Sequence, residues 1–207
     1  MDLWTDLASF SAVPKRSLLN FRLMTYHPGA GTDIDRTVEL AVAEQVRGGG
    51  FKRALTATGM DQGNRLQYQL PMPDKRTLVA SCVPRSKGEP ATTNLTIDGS
   101  PAGSVVRTQT EYSFLQPSGA QVGAARIDGF TLHDAAGTPI GAWCGYRKDA
   151  SLGEIVDDLM FGAERLGRSD ALSFGAVRAD VLLEAPAPPE MATPLVALPI
   201  AICFGYR

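Results

Sequence analysis

The sequence predicts a mostly β protein with a few helices: an antiparallel hairpin meander that closes into a barrel-like sheet around an apolar C-terminal segment. Three observations predict it. One glycine spacing occurs three times, as Gly99-Ser-Pro-Ala-Gly103, Gly119-Ala-Gln-Val-Gly123 and Gly137-Thr-Pro-Ile-Gly141. Each copy follows a short apolar run (Leu95 to Ile97, Phe114-Leu115, Phe130 to Leu132) and leads back toward another, so each reads as one β-hairpin. Near the end of the chain, Leu195 to Phe204 is apolar on every side, and such a segment has to be buried on every side.

The chain of 207 residues suits a single domain, 1–207, large enough to bury its core without staples. Residues 1 to 60 read as an α/β N-terminal extension packed on the barrel. Residues 1 to 13 give no firm element. Ser17 to Tyr26 alternates imperfectly and is stopped by His27-Pro28-Gly29, so it reads as a strand. Thr32 offers an N-cap with Asp35 three residues on. Ile34, Val38, Ala41, Val42 and Val46 then recur at helical spacing until Gly48-Gly49-Gly50 ends the helix.

Arg65 to Leu70 and Thr77 to Val83 are the next strands, with a turn at Pro71-Met72-Pro73-Asp74. The hairpin loops follow, carrying Asp98-Gly99, Pro117-Ser118-Gly119 and Asp134-Ala135-Ala136-Gly137. The first glycine of each copy is expected at positive φ. The second falls inside the returning strand, where glycine marks a bulge, a bend or the close approach of another backbone. Three such glycines at matching positions curve the sheet toward closure.

Ser151 to Leu166 reads as a helix, with Ser151 and Glu154 as a capping box and Gly167 past its end. Leu172 to Phe174 and Val177 to Leu183 read as a strand pair. Pro186-Ala-Pro-Pro189 is a stiff connector, and Thr193-Pro194 is a good helix start. Pro199 interrupts the helical reading of Leu195 to Phe204, so a strand from Ile200 to Tyr206 stands as its rival.

The hairpins Leu95 to Val106, Phe114 to Arg126 and Phe130 to Trp143, then Ala179-Asp-Val-Leu-Leu-Glu184, the prolines and the apolar tail, form an ordered set. That order resembles the tubby C-terminal-like superfamily, which includes the LURP-one-related and scramblase-like proteins, over about residues 65 to 207. The resemblance implies a β-barrel wrapped around a hydrophobic C-terminal helix. It also implies a non-enzymatic module, associated in some members with phosphoinositides or membrane phospholipids. Pro199 and the first 60 residues depart from the pattern, and no functional residue of the family maps onto this chain one by one.

The formal charge of −2 and pI near 5.7 argue against bulk nucleic-acid binding. Cys82, Cys144 and Cys203 are odd in number and sit in apolar contexts, so they read as free thiols and not as a disulfide framework. The N-terminus lacks a basic leader, and Leu195 to Phe204 is about half the length of a membrane-spanning helix. A cytoplasmic protein with no transmembrane segment is expected.

The most suggestive chemistry is Arg47-Gly48-Gly49-Gly50-Phe51-Lys52-Arg53, where exposed N–H groups and three cations could cradle a phosphate or a lipid headgroup. The plainer reading is a positively charged helix end and a flexible connector. His133 and Cys144 form the outline of a thiol nucleophile across the third hairpin. Asp134 is adjacent to His133, so on a strand it would face the other way. Glu154 and Asp158 could hold a hard cation, or be a solvated acidic helix face. No zinc spacing, no Gly-x-Ser-x-Gly and no Gly-x-Gly-x-x-Gly after a strand is present.

The sequence therefore favours a non-catalytic binding or scaffold module with no cofactor and no metal, its ligand an anionic headgroup, an apolar molecule or a protein. The alternatives are an enzyme using Cys144 and His133, and a structural protein that self-associates through sheet edges.

Overall fold

Twelve antiparallel strands form one closed barrel in this computed structural model, which describes residues 9–16, 22–46, 66–83, 90–147 and 176–204. In chain order they are β1 (Phe10–Arg16), β2 (Arg22–Pro28), β3 (Ala41–Gln45), β4 (Leu66–Pro71), β5 (Thr77–Val83) and β6 (Ala91–Ile97). Then come β7 (Ser100–Arg107), β8 (Glu111–Leu115), β9 (Gln121–Arg126), β10 (Thr131–Asp134), β11 (Pro139–Arg147) and β12 (Ala176–Leu183). Each strand pairs with its sequence neighbour, and β1 pairs with β12 through Phe10 to Val181, Ser11 to Asp180 and Ala12 to Ala179. Closure leaves no strand edge unpaired along its whole length, which removes the template for edge-to-edge association.

Among the described residues, the helix α1 (Ala192–Phe204) follows a 3-10 turn at Pro189–Met191. It packs against β5, β6, β7 and β8 on one side and against β11 and β12 on another, so it runs down the lumen. Leu195, Val196, Ala197, Leu198 and Ile200 are wholly buried. The wall meets them with Phe10, Met24, Tyr26, Tyr68, Leu78, Leu95, Phe114, Leu132 and Trp143, all buried. Alternation supplies this face, since residues two apart on a strand point the same way. In β5, Leu78, Ala80 and Cys82 point inward, while Val79 and Ser81 point out.

The helix wins over the rival C-terminal strand even though Pro199 lies inside it. Proline has no N–H to give the Leu195 carbonyl, an interior cost of about 3 kcal/mol. Enclosure on all sides offsets that cost: fully burying one large aliphatic side chain contributes about 1.5–3 kcal/mol. The wall also reaches into the helix, where the Tyr26 hydroxyl donates to the Val196 carbonyl at 2.8 Å. Burial, and then the charge of a Cys203 thiolate, push the Tyr26 phenol far above the ordinary value for tyrosine. It therefore stays a neutral donor. Helix α1 begins one residue before Thr193, so that threonine lies in the first turn and is not the N-cap expected from the sequence.

The repeated glycines behave as their spacing predicts. Gly99, Gly119 and Gly137 sit in the turns at positive φ with open space around them. The second glycines coincide with register shifts in all three hairpins. At Gly103 (φ +124) an added Cβ would collide with the Leu115 carbonyl of β8. At Gly123 it would lie 2.6 Å from the His133 carbonyl and 2.5 Å from Met191, the residue just before α1.

The helix expected from Thr32 to Val46 is not formed. Residues 31–40 are turns and irregular chain, and Ala41–Gln45 is strand β3, paired with β2 through Leu23 to Glu44, Met24 to Ala43, Thr25 to Val42 and Tyr26 to Ala41. Two causes decide it. The Asp35 carboxylate takes the Thr37 N–H at 2.9 Å and its hydroxyl, a local turn that competes with helix. The valines and alanines then satisfy a sheet pairing that a lone helix could not replace. Strand β1 occupies part of the lead-in, residues 1 to 13, where no firm element is expected from the sequence. Ser17 to Phe21, Gly48 to Gly50, the expected helix Ser151 to Leu166 and Leu172 to Phe174 lie outside the described residues. The strand read from Val177 is β12, whose described partners are β11 and β1.

Gly103→Ala should lower the unfolding free energy by about 2–4 kcal/mol, because neither backbone at that crossing can retreat. Gly99→Ala, with the same positive φ requirement but empty surroundings, should cost only about 1 kcal/mol. Chemical denaturation of both variants checks this, and equal losses would refute the close-approach role.

Candidate functional site

Cross-strand register brings together residues far apart in the chain. On the outer face of four neighbouring strands, Cys144 of β11 lies opposite Asp180 of β12, Asp180 opposite Ser11 of β1, and Ser11 opposite His27 of β2. All four are buried, although they face away from the lumen. Such polar groups leave water at a cost unless they find partners.

Most of those partners lie on the β2–β3 connection. The Ser11 hydroxyl donates to the Gly29 carbonyl at 2.8 Å. The Gly31 N–H donates to Asp180 Oδ2 at 2.9 Å, and Arg178 Nη2 stands 3.1 Å from the same oxygen. His27 Nδ1 lies 2.8 Å from the Val38 carbonyl. A carbonyl only accepts, so Nδ1 carries the hydrogen. Beyond the row, hydrogen bonds from the Thr37 side chain and backbone hold the Asp35 carboxyl below its ordinary range. The row thus fastens residues 29 to 38 onto the barrel wall.

Serine, histidine and aspartate are the residue types of a nucleophilic triad, but their order here is wrong for one. Asp180 flanks Ser11 on the side away from His27, so it does not orient the imidazole. Ser11 and His27 each direct a hydrogen to a backbone carbonyl. The arrangement is a clamp on a connection, and the sequence reading missed it. Its one visible signal was Asp180, a lone charge within the run Ala179 to Leu183.

His133 and Cys144 are not brought together. His133 pairs with Pro139, and Leu132 pairs with Gly141. Cys144 lies five residues beyond Pro139, roughly 17 Å along a strand at about 3.4 Å per residue. His133 Nδ1 is 2.9 Å from the Gly137 carbonyl, so it carries the hydrogen, and Nε2, 2.8 Å from Thr131 Oγ1, accepts. Asp134 Oδ1 takes the N–H groups of Ala136 at 2.9 Å and Thr138 at 2.8 Å. Histidine and aspartate both serve the hairpin turn. Cys144 and Cys82 are buried and form no disulfide.

The segment with Arg47, Gly48, Gly49, Gly50, Lys52 and Arg53 lies outside the described residues, as do Glu154 and Asp158. The strand ends it joins are described: Gln45 closes β3 and Leu66 opens β4. They belong to the lower rim, the end of the barrel toward which α1 runs. At that rim a narrow cleft between the wall and Ala201 is lined by Ala91, Thr93, Val105, Arg107 and Tyr112, and it has no room for a water-sized sphere. The Arg107 guanidinium sits over the Tyr112 ring, 5.5 Å from its centroid.

Among the described residues no group of His, Cys, Asp and Glu could hold a metal ion, and no helix is long and apolar enough to cross a membrane. Comparison with protein-family models, curated proteins and solved structures gives no match.

Asp180→Asn should destabilise the fold by about 3 kcal/mol or more, since it leaves the nearly buried Arg178 facing an amide in place of a carboxylate. Ser11→Ala should cost only about 1 kcal/mol. Thermal or denaturant unfolding of the two variants tests the ranking, and its reversal would deny Asp180 the central place in the clamp.

Proposed function

We propose that this protein is a non-catalytic binding module of tubby-like architecture that recognises an anionic, phospholipid-like ligand at its lower rim. One observation carries the reading: the lumen is filled by the protein's own helix. Many barrels use the interior as a ligand pocket. Here Leu195 to Ile200 take that space, so recognition falls to the rims and the outer wall. The polar clusters that resemble catalytic sets are engaged in holding a connection and a hairpin turn.

The two rims differ in charge. The upper rim, where α1 begins, carries Asp33, Asp35, Glu39, Asp98, Asp134, Glu184 and Glu190 in its connections, against Arg36 and the Asp74-Lys75-Arg76 turn. The connections between the strand ends of the lower rim balance in sequence, with nine basic and nine acidic residues, and Arg47, Lys52 and Arg53 form a local basic run among them. An anionic surface would be repelled by the first rim, whereas the basic run Arg47, Lys52 and Arg53 would attract it locally at the second. The triple glycine between Arg47 and Phe51 adds backbone N–H groups free of side-chain shielding.

Co-sedimentation with vesicles tests this. The protein should pellet with vesicles containing an anionic lipid and stay in the supernatant with neutral ones, and the triple substitution Arg47→Ala, Lys52→Ala, Arg53→Ala should reduce pelleting at least about tenfold, given about 1 kcal/mol per cation near the surface. Equal pelleting on both vesicle types, unchanged by the substitutions, would remove the reading.

A further inference from the structure

The charges carried by the strands themselves are sorted by level. The described strands hold seven cations: Lys15 and Arg16 on β1, Arg22 on β2, Arg107 on β7, Arg126 on β9, Arg147 on β11 and Arg178 on β12. Chain direction alternates around the wall, so β1, β7, β9 and β11 end at the lower rim, and β2 and β12 begin there. Each of the seven therefore stands within three residues of the lower end of its strand. Five of them, Lys15, Arg16, Arg22, Arg147 and Arg178, fall on β2, β1, β12 and β11, which are consecutive in the barrel. The acid carried by these four strands is Asp180, which already takes the Gly31 N–H and stands against Arg178.

Register sharpens the grouping. Arg16 lies directly opposite Arg22 at the lower end of the β1–β2 ladder, and Lys15 lies opposite Leu23 at the next level. Across the β1–β12 seam, Arg147 lies opposite Ala176 and Tyr146 opposite Arg178. Like charges at directly opposite positions of a sheet are destabilising. On the other side of the barrel the charges are matched, with Glu111 opposite Arg126. A like-charged pair becomes favourable when an anion of sufficient charge sits between its members. Strands about 4.8 Å apart set β11 about 10 Å from β1, so the cations of both strands border one small area.

We infer that this juxtaposition of Lys15, Arg16, Arg22 and Arg147 at the lower ends of β1, β2 and β11 is a seat for a phosphomonoester of two negative charges. The seat rests on the proposed recognition of an anionic ligand at the lower rim, and it gives that recognition a place on the wall and a chemistry. Three of the four residues are arginine, which matches a phosphate with two parallel N–H donors where lysine offers a point charge. A phosphodiester carries one negative charge. A phosphomonoester carries about −1.5 to −2 at neutral pH, enough to balance both members of the Arg16–Arg22 pair. The same group occurs on lipid headgroups and on soluble molecules, and the seat reads the phosphate itself.

Thermal unfolding of the full chain tests the seat without a membrane. Glycerol 3-phosphate, a soluble monoester, should raise the melting temperature by several degrees at millimolar concentration, and dimethyl phosphate, a diester, should not. Arg22→Gln removes one of two like charges, so without a probe it should melt no lower than the unmodified protein, and the monoester should no longer shift it. Arg126→Gln, an exposed position on β9, should keep the shift. Vesicles supply the lipid arm. Phosphatidylcholine vesicles carrying phosphatidic acid should pellet the protein about fivefold better than vesicles carrying phosphatidylserine at equal surface charge, and Arg22→Gln should erase the difference. A monoester shift in a protein that pellets with neither vesicle keeps the seat and removes the lipid reading. Pelleting on both anionic vesicles alike, with no monoester shift, keeps the lipid reading and removes the seat. A full shift in Arg22→Gln, or equal shifts from monoester and diester, would also overturn the seat.

Discussion

A segment without a polar side has no stable position at a surface. Leu195 to Ile202 present apolar atoms all round, and the only arrangement that keeps water from all of them is enclosure. Most of the remaining architecture answers that constraint. An open sheet covers one face of a helix, and two sheets cover two faces. A barrel closed through β1 and β12 covers every face, with an inner layer of Tyr, Phe, Trp and Leu filling the gap to the helix. Wall and helix therefore depend on each other: the barrel without α1 would be hollow and apolar, and α1 without the barrel would be a short insoluble peptide.

Closure also fixes where specialised chemistry can lie. With the lumen filled, the inner face is committed to packing, and β-strand alternation hands every other residue to the outside. On one side of the outer wall those residues form a buried polar row that holds the β2–β3 connection. On another, over β4 to β7, they are uncharged. The rims collect the charges, with an acidic excess where the helix enters and a balance of both signs in the sequence of the opposite connections. The proposed placing of an anionic ligand at a rim rests on that partition.

Local signals were the legible part of the fold. The three Gly-x-x-x-Gly spacings specified both the turns and the crossings, because a positive φ in a tight turn and a backbone too close for a Cβ are each demands that only glycine meets well. Strands β4 and β5 were legible for the same reason: alternation and prolines bound them closely. What failed was local pattern under tertiary control. The spacing of Ile34, Val38, Ala41, Val42 and Val46 fits a helix, yet the sheet pairing of Ala41 to Glu44 with β2 outweighs it. Pro199 split the reading of the tail into helix and strand, since only the surrounding wall decides that the helix survives it. The clamp of Ser11, His27 and Asp180 was invisible because its members become neighbours only across strand pairings, with about 150 residues between β2 and β12. The pair that did look adjacent, His133 and Cys144, shares a hairpin but not a level in it.

Hydrogen exchange at the C-terminal helix tests the enclosure most directly. If α1 is enclosed, the amides of Leu198, Ile200, Ala201 and Ile202 open only with the whole barrel, and they should exchange as slowly as the most protected amides of β5 and β6. Exchange of these amides at the rate of the hairpin turns would show that the helix leaves its lumen without unfolding the wall, and the account of a barrel built around its own tail would fail.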